Sequence, residues 1–199
     1  MLAEERLARI MKLLSQQRTA TVQELCEALD ASESTIRRDL NELDRMGKVN
    51  KVHGGATLPL VRELNGSALD ARYVTNGVAH ARTLAQKGCK VFLLGGLLRP
   101  ETEAIIGAAA LYSLQQYNFT KAFLGANGVA LDAGFTTPDP EEAAVKATAV
   151  RRAKEAWFLV DDSKFARVYP AVIAELSGGA ILTNHCPNPK YRQFTLIKE

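Results

Sequence analysis

The chain has 199 residues, of which 47% are hydrophobic and 24% charged, with a formal net charge of +3. That length supports a small module and one larger core, and the composition excludes a disordered or fibrous chain. The longest apolar stretches, such as Val91 to Leu98 with two glycines inside it, fall far short of the roughly 20 residues that span a bilayer. Glu4-Glu5 in an amphipathic opening segment does not read as a signal peptide, so a cytoplasmic protein without a membrane partner is expected.

Glu4 to Ser15 carries Leu7, Ile10, Met11 and Leu14 at helical spacing, with Arg6, Arg9 and Lys12 expected in solvent. Thr21-Val22-Gln23-Glu24 has the form of a capping box, and Val22, Leu25 and Leu29 continue a short second helix to Asp30-Ala31. Ser32 is a good N-cap for a third helix, in which Ile36, Leu40 and Leu43 recur at i, i+4 and i+7, and Gly47 marks its end. Lys48-Val49-Asn50-Lys51-Val52 followed by His53-Gly54-Gly55 reads as a β-ribbon, so residues 1–58 are expected to form a winged helix-turn-helix.

Such a helix fits the major groove of DNA, and its front half can aim Ser34, Thr35, Arg37, Arg38 and Asn41 at base edges and phosphates. Arginine suits this task because its planar fork presents two donors to guanine or phosphate. Lys48, Lys51, His53 and Gly54 on the ribbon complete the expected DNA-binding set. Bulk charge does not carry the argument: nine lysines and arginines in residues 1–58 balance nine acidic residues. Asp39, Glu42 and Asp44 are expected on other faces of the third helix or further along it.

Leu58 to Ala71, with Pro59, Arg62-Glu63 and Asn65-Gly66-Ser67, reads as a linker, leaving 72–199 as a second domain. There, strands at Tyr73 to Thr75, Lys90 to Leu94, Ala122 to Leu124, Trp157 to Val160 and Ala180 to Thr183 alternate with helices. The helices are near Val78 to Gln86, Ala108 to Gln116, Pro140 to Glu155 and Pro170 to Leu176. This alternation predicts an α/β domain with a largely parallel sheet.

Ligands in such sheets sit beyond the strand C-termini, where this chain places Thr75-Asn76-Gly77, Gly95-Gly96 with Arg99, Gly125 with Asn127-Gly128, and Asp161 to Lys164. Backbone N–H groups in these turns, together with Arg99 or Lys164, suit capture of an anion. Thr136 and Thr137 could add hydroxyls, and Glu142 with Lys146 a carboxylate and an ammonium, although the latter two also fit a solvent ion pair one helical turn apart. Cys26, Cys89 and Cys186 are odd in number and widely spaced, as expected of structural thiols in a reduced compartment. His185-Cys186 lacks further ligands at metal spacing, so neither a metal nor a cofactor is expected.

Thr35-Ile36-Arg37-Arg38-Asp39-Leu40, Leu43, Gly47 and His53-Gly54-Gly55-Ala56 resemble the signature of DeoR-type bacterial transcriptional repressors. Val74-Thr75-Asn76, Leu94-Gly95-Gly96, Phe123 to Gly128, Gly134 to Thr137, Glu142-Ala143 with Lys146, and Asp161 to Phe165 resemble that family's sensor domain. The resemblance implies a fold shared with sugar-phosphate isomerases and deaminases, duplex operator DNA and a phosphorylated sugar as partners, and a homo-oligomer, dimer or tetramer. The fructose repressors are the nearest subgroup, which makes fructose 1-phosphate the first effector to consider. The competing reading is an isomerase- or deaminase-type enzyme with an appended DNA-binding head.

The sequence departs from the family at one place. Before Tyr73 the family carries a further strand and helix, a piece of ~30 or more residues with an Asp-x-Gly-Thr-Thr phosphate loop, and nothing here matches it. Loss of that strand is expected to leave a sheet edge exposed.

Overall fold

The computed structural model describes residues 3–17, 20, 22–46, 57–100 and 102–199, without the side chains of residues 16, 17, 22, 23, 33, 37, 41, 44 and 45. It divides into two compact units, Met1–Lys51 and Val52–Glu199.

Among the described residues the first unit contains three helices, α1 (Ala3–Gln17), α2 (Val22–Leu29) and α3 (Glu33–Arg45). Ile10, Leu25, Leu29, Ile36 and Leu43 form its core, so one apolar stripe from each helix meets the other two. Burial of each such side chain stabilises the unit by roughly 1.5–3 kcal/mol. Asp30 turns the chain between α2 and α3 with a left-handed φ of 47°, a conformation that a short polar side chain tolerates. Ser32 then caps α3: its Oγ accepts from the Thr35 N–H at 3.4 Å and its carbonyl from the Ile36 N–H at 3.0 Å. The expected ribbon over 48–56 lies outside the described residues, as do Thr21 and Gly47.

The second unit opens with helix α4 (Thr57–Glu63), where a linker was expected, and a 3₁₀ turn at Gly66–Asp70. Leu58 and Val61 are buried, and Val61 packs with Leu84 and Cys89. The remaining elements in chain order are β1 (Arg72–Thr75), α5 (Val78–Gln86), β2 (Lys90–Leu93), β3 (Leu97–Arg99), β4 (Ala104–Ile106), α6 (Ala108–Gln115) and β5 (Phe119–Gly125). They continue with β6 (Gly128–Ala130), β7 (Gly134–Thr137), α7 (Pro140–Arg152), β8 (Ala153–Leu159), β9 (Ala171–Ala174), β10 (Ala180–Leu182) and β11 (Ile197–Lys198).

Two sheets are parallel: β1 with β2, and a four-stranded sheet in the order β11-β10-β8-β5. Among the described residues β5 is the edge of the larger sheet and β1 has β2 as its only partner. The α/β fold with a parallel sheet is therefore present, and strand edges stand open. Two antiparallel sheets, β3-β4 and β6-β7-β9, complete the unit. The region expected as a helix at Pro170 to Leu176 is instead strand β9, which pairs with β7, followed by a 3₁₀ turn at Leu176–Gly178. The helix expected to reach Glu155 stops at Arg152, where β8 begins.

The main core lies between α7 and the larger sheet. Phe135 and Phe158, both fully buried, stack with ring centroids 3.6 Å apart and planes 7° from parallel. Phe165 meets Tyr191 edge-on at 4.9 Å, and the buried Tyr191 hydroxyl donates to the Val129 carbonyl at 3.1 Å. Its polar tip is thereby satisfied within an apolar setting.

Candidate DNA-reading and effector sites

Helix α3 presents Ser34 and Arg38 to solvent on the side away from buried Ile36 and Leu43. Thr35 is half-buried, and its Oγ1 lies 2.9 Å from Ser32 Oγ, so its hydroxyl belongs to the helix cap. The backbone of Arg37 and Asn41 is helical, and their side chains fall outside the described ones. Lys48, Lys51, His53 and Gly54 lie outside the described residues altogether.

Charges within the head are arranged differently from the sequence expectation. Arg6, expected in solvent, forms a two-pronged ion pair with Asp39; its Nε bonds one carboxylate oxygen and its Nη2 the other at 3.0 Å. Asp39 is 5% exposed, so it is part of the core rather than an outlying acid. Hydrogen bonding to Asp39 pushes Arg6 above its ordinary value. The pair ties α1 to α3 and neutralises a carboxylate that would otherwise repel phosphate beside Arg38. A contact 33 residues apart in the chain leaves no periodic trace in sequence, which is why it escapes a reading by helix faces.

In the second unit the expected turns occupy the carboxyl edges of the two parallel sheets, and their side chains gather in four groups. At the end of β1, Thr75 Oγ1 accepts from the Gly77 N–H at 3.1 Å, and Asn76 Nδ2 donates to the Ile105 carbonyl at 3.1 Å. Gly95 and Gly96 follow β2 and are exposed. Helices α5 and α6 begin at Gly77 and Gly107 with no side-chain cap; the Val78 N–H of α5 is taken by the Glu103 carbonyl at 3.0 Å, so an anion at α5 would meet the N–H groups that follow it.

The second group is charged. Arg99 pairs with Asp139, whose carboxylate caps α7 by accepting from the Glu142 N–H at 2.8 Å. That N–H bond, with Arg99 beside it, holds the Asp139 carboxyl below its ordinary range. Glu142 accepts from the Thr102 hydroxyl at 3.0 Å and meets Lys146 Nζ at 3.5 Å. With side-chain exposures of 20% for Lys146 and 13% for Glu142, this pair is withdrawn from water, unlike an ordinary surface i,i+4 pair. Burial lowers the Lys146 ammonium below its ordinary value while Glu142 pulls it back up. Thr102 and the internal capping role of Asp139 were missed by the sequence reading, although Asp139-Pro140 is a recognisable helix start.

The third group is internal. Thr136 and Thr137 are 0% and 1% exposed. Thr136 Oγ1 accepts from the Tyr169 N–H at 3.1 Å, and Thr137 Oγ1 donates to Asn127 Oδ1 at 2.8 Å. Their hydroxyls, expected to face a ligand, hold β6, β7 and the following loop together. Gly128 sits where a Cβ would come within 2.3 Å of the Arg167 carbonyl oxygen. Gly125 ends β5 just before this cluster.

The fourth group follows β8. Asp161 accepts from the Ser163 N–H at 2.9 Å, and Lys164 Nζ stands 4.0 Å from the Asp161 carboxylate. Asn184 links this turn to the end of β10 by accepting from the Asp162 N–H at 2.9 Å. Among the described residues no three His, Cys, Asp or Glu side chains gather as a metal site, and no helix is long and apolar enough to cross a membrane.

Comparison with known proteins agrees with this division. The DeoR-like helix-turn-helix domain matches residues 6–60, and the DeoR C terminal sensor domain matches residues 53–184. The chain is 34% identical to the HTH-type transcriptional regulator FruR of Bacillus subtilis, over 100% of this chain and 98% of the relative. It is 27% identical to the HTH-type transcriptional repressor GlcR of the same organism, over 96% and 92%. With the glycerol-3-phosphate regulon repressor of Escherichia coli it shares 29% identity over 79% and 81%. The FruR alignment runs over 247 positions while using all 199 residues of this chain, so 48 positions (247 less 199) have no counterpart here. The enzyme reading is set aside by these matches, and the chain belongs to the DeoR family of DNA-binding transcriptional regulators.

Proposed function

We propose that this regulator represses a sugar-catabolism operon in the cytoplasm, binding operator DNA as a homo-oligomer and changing its affinity when a phosphorylated sugar occupies the larger unit. The observation that carries the operator half is the exposure of Ser34 and Arg38 on a capped helix whose opposite stripe is sunk in the head's core. Arg37, Asn41 and, from the segment expected as a ribbon, Lys48, Lys51, His53 and Gly54 join them in this reading.

The effector half rests on the half-buried group of Arg99, Asp139, Glu142 and Lys146, together with the glycine-rich turns at the strand ends. A carboxylate and an ammonium held there suit sugar hydroxyls, while Arg99 or Lys164 and the turns at Thr75-Asn76, Gly95-Gly96, Gly125 to Gly128 and Asp161 suit a phosphate. One relative is named for a glycerol-3-phosphate regulon, and a Streptococcus mutans relative, 28% identical, for a lactose phosphotransferase system. Fructose 1-phosphate is the first ligand to test.

A thermal-shift screen with phosphorylated sugars tests the effector half, because a ligand that prefers the native state raises its melting temperature. Fructose 1-phosphate is expected to raise it and to release DNA, and Lys164→Ala to blunt that release while sparing DNA binding. No shift with any sugar phosphate, or equal release in Lys164→Ala, removes the effector half and leaves the operator half standing.

A further inference from the structure

Asp39 holds a position on α3 that the helix period gives to an apolar side chain. It lies three residues after Ile36 and four before Leu43, so the three share one face, and all are buried. Arg6 lies four residues before the fully buried Ile10 on α1, and its fork grips both carboxylate oxygens of Asp39. An ion pair withdrawn from water therefore stands in the seam between α1 and α3, beside the apolar core of Ile10, Ile36 and Leu43.

Stability alone does not account for such a pair. Two charges taken out of water lose hydration that their attraction only partly returns, and apolar side chains of similar volume commonly hold a seam as well or better. Direction does account for it. Apolar contact has no preferred orientation, so Ile36 and Leu43 hold α3 to the core without fixing its roll about its own axis. A planar guanidinium bonded to both oxygens of one carboxylate fixes roll and slide together. Roll matters here because Arg37 and Arg38 immediately precede Asp39. A side-chain tip ~6 Å from a helix axis moves ~2 Å when the helix rolls by about 20°. That exceeds the span of about 0.5 Å over which a hydrogen bond keeps good length.

We propose that Arg6 and Asp39 are positioning residues for operator recognition: their ion pair sets the roll and register of α3 on α1, and so where Arg37 and Arg38 meet the duplex. This role rests on the reading of α3 as the helix that enters DNA, and it assigns part of the sequence discrimination to a pair set inside the head. Removing both charges at once leaves the net charge of the chain unchanged, so the sequence-independent attraction to phosphate is kept. What the pair supplies is aim.

The test compares the full native chain with the apolar double variant Arg6→Met/Asp39→Leu at fixed salt. Affinity is measured for the duplex that the native chain selects from a random pool and for a scrambled duplex of the same composition. The double variant is expected to melt at the native temperature or above. Its preference for the selected duplex over the scrambled one is expected to fall at least 10-fold, with scrambled binding changed less than 2-fold. Should that variant fail to fold, Arg6→Lys, which keeps the charge and gives up the fork, is expected to lose preference in the same way. A variant that folds and discriminates like the native chain overturns the proposal, and so does equal loss of affinity for both duplexes. A native chain that prefers no duplex fails the operator reading itself, which separates the two failures.

Discussion

Arg37 and Arg38 stand in the front half of α3, a helix whose buried stripe is Ile36 and Leu43 and on which Arg38 is exposed. A guanidinium that bonds a guanine edge contributes ~1–3 kcal/mol of discrimination, whereas one that bonds only phosphate weakens all sequences alike. Arg37→Ala is therefore expected to lower operator affinity by ~1–3 kcal/mol at fixed salt with no change in melting temperature. A gel shift that shows equal affinity takes Arg37 out of the reading surface. Gly128 poses a different test at the same scale. A Cβ there would lie 2.3 Å from the Arg167 carbonyl oxygen and 2.7 Å from Thr136 Oγ1. Gly128→Ala is expected to destabilise the larger unit by ~1–3 kcal/mol through overpacking, read from the denaturant midpoint. An unchanged midpoint would mean the loop carrying Arg167 yields freely.

Among elements, α4 and α5 share a junction that pH should probe. Thr57 Oγ1 lies 2.9 Å from His80 Nε2, and burial lowers His80 below its ordinary value of about 6.5. The unfolded chain therefore takes up a proton on His80 at a pH where the folded chain has not yet done so, and stability falls as pH drops from about 6.5 towards the lowered folded value. Asp139 acts in a separate window, because its depressed carboxyl keeps its contribution until the medium is more acidic than about 4. Melting curves from pH 7 to 5 are expected to fall more steeply for the native chain than for His80→Gln, and parallel slopes would contradict the assignment.

The elements also mark where sequence was readable. Helices α5, α6 and α7 and strands β1, β2, β5 and β10 declare themselves by period and flanking turns. Strand β9 does not: Pro170 looks like a helix start, but Val172 and Ile173 are β-branched and pairing with β7 decides the matter. Pro59 was read as a loop residue, yet it lies in the first turn of α4, where a missing N–H costs nothing. The three-residue strands β3 and β4 are too short to show alternation. Within the candidate sites, the residue types and turns were legible. The burial of the Glu142–Lys146 pair and the Arg6–Asp39 clasp was not, because both depend on contacts between elements.

At the scale of the molecule, a small head carries an arginine-bearing helix and a larger α/β unit carries a charged group beside its strand ends. Among the described residues the larger unit keeps two separate parallel sheets with open edges, in a chain whose alignment with FruR leaves 48 positions (247 less 199) unmatched. The central claim is that α3 reads a duplex. Selection by the full chain from a pool of random duplexes at fixed salt tests it most directly, followed by affinity measurement with the Arg37→Ala/Arg38→Ala double variant. Enrichment of one motif in two half-sites, bound far more weakly by a double variant of unchanged melting temperature, is the predicted result. A pool that stays random, or a double variant that binds the selected duplex as tightly as the native chain, would contradict it.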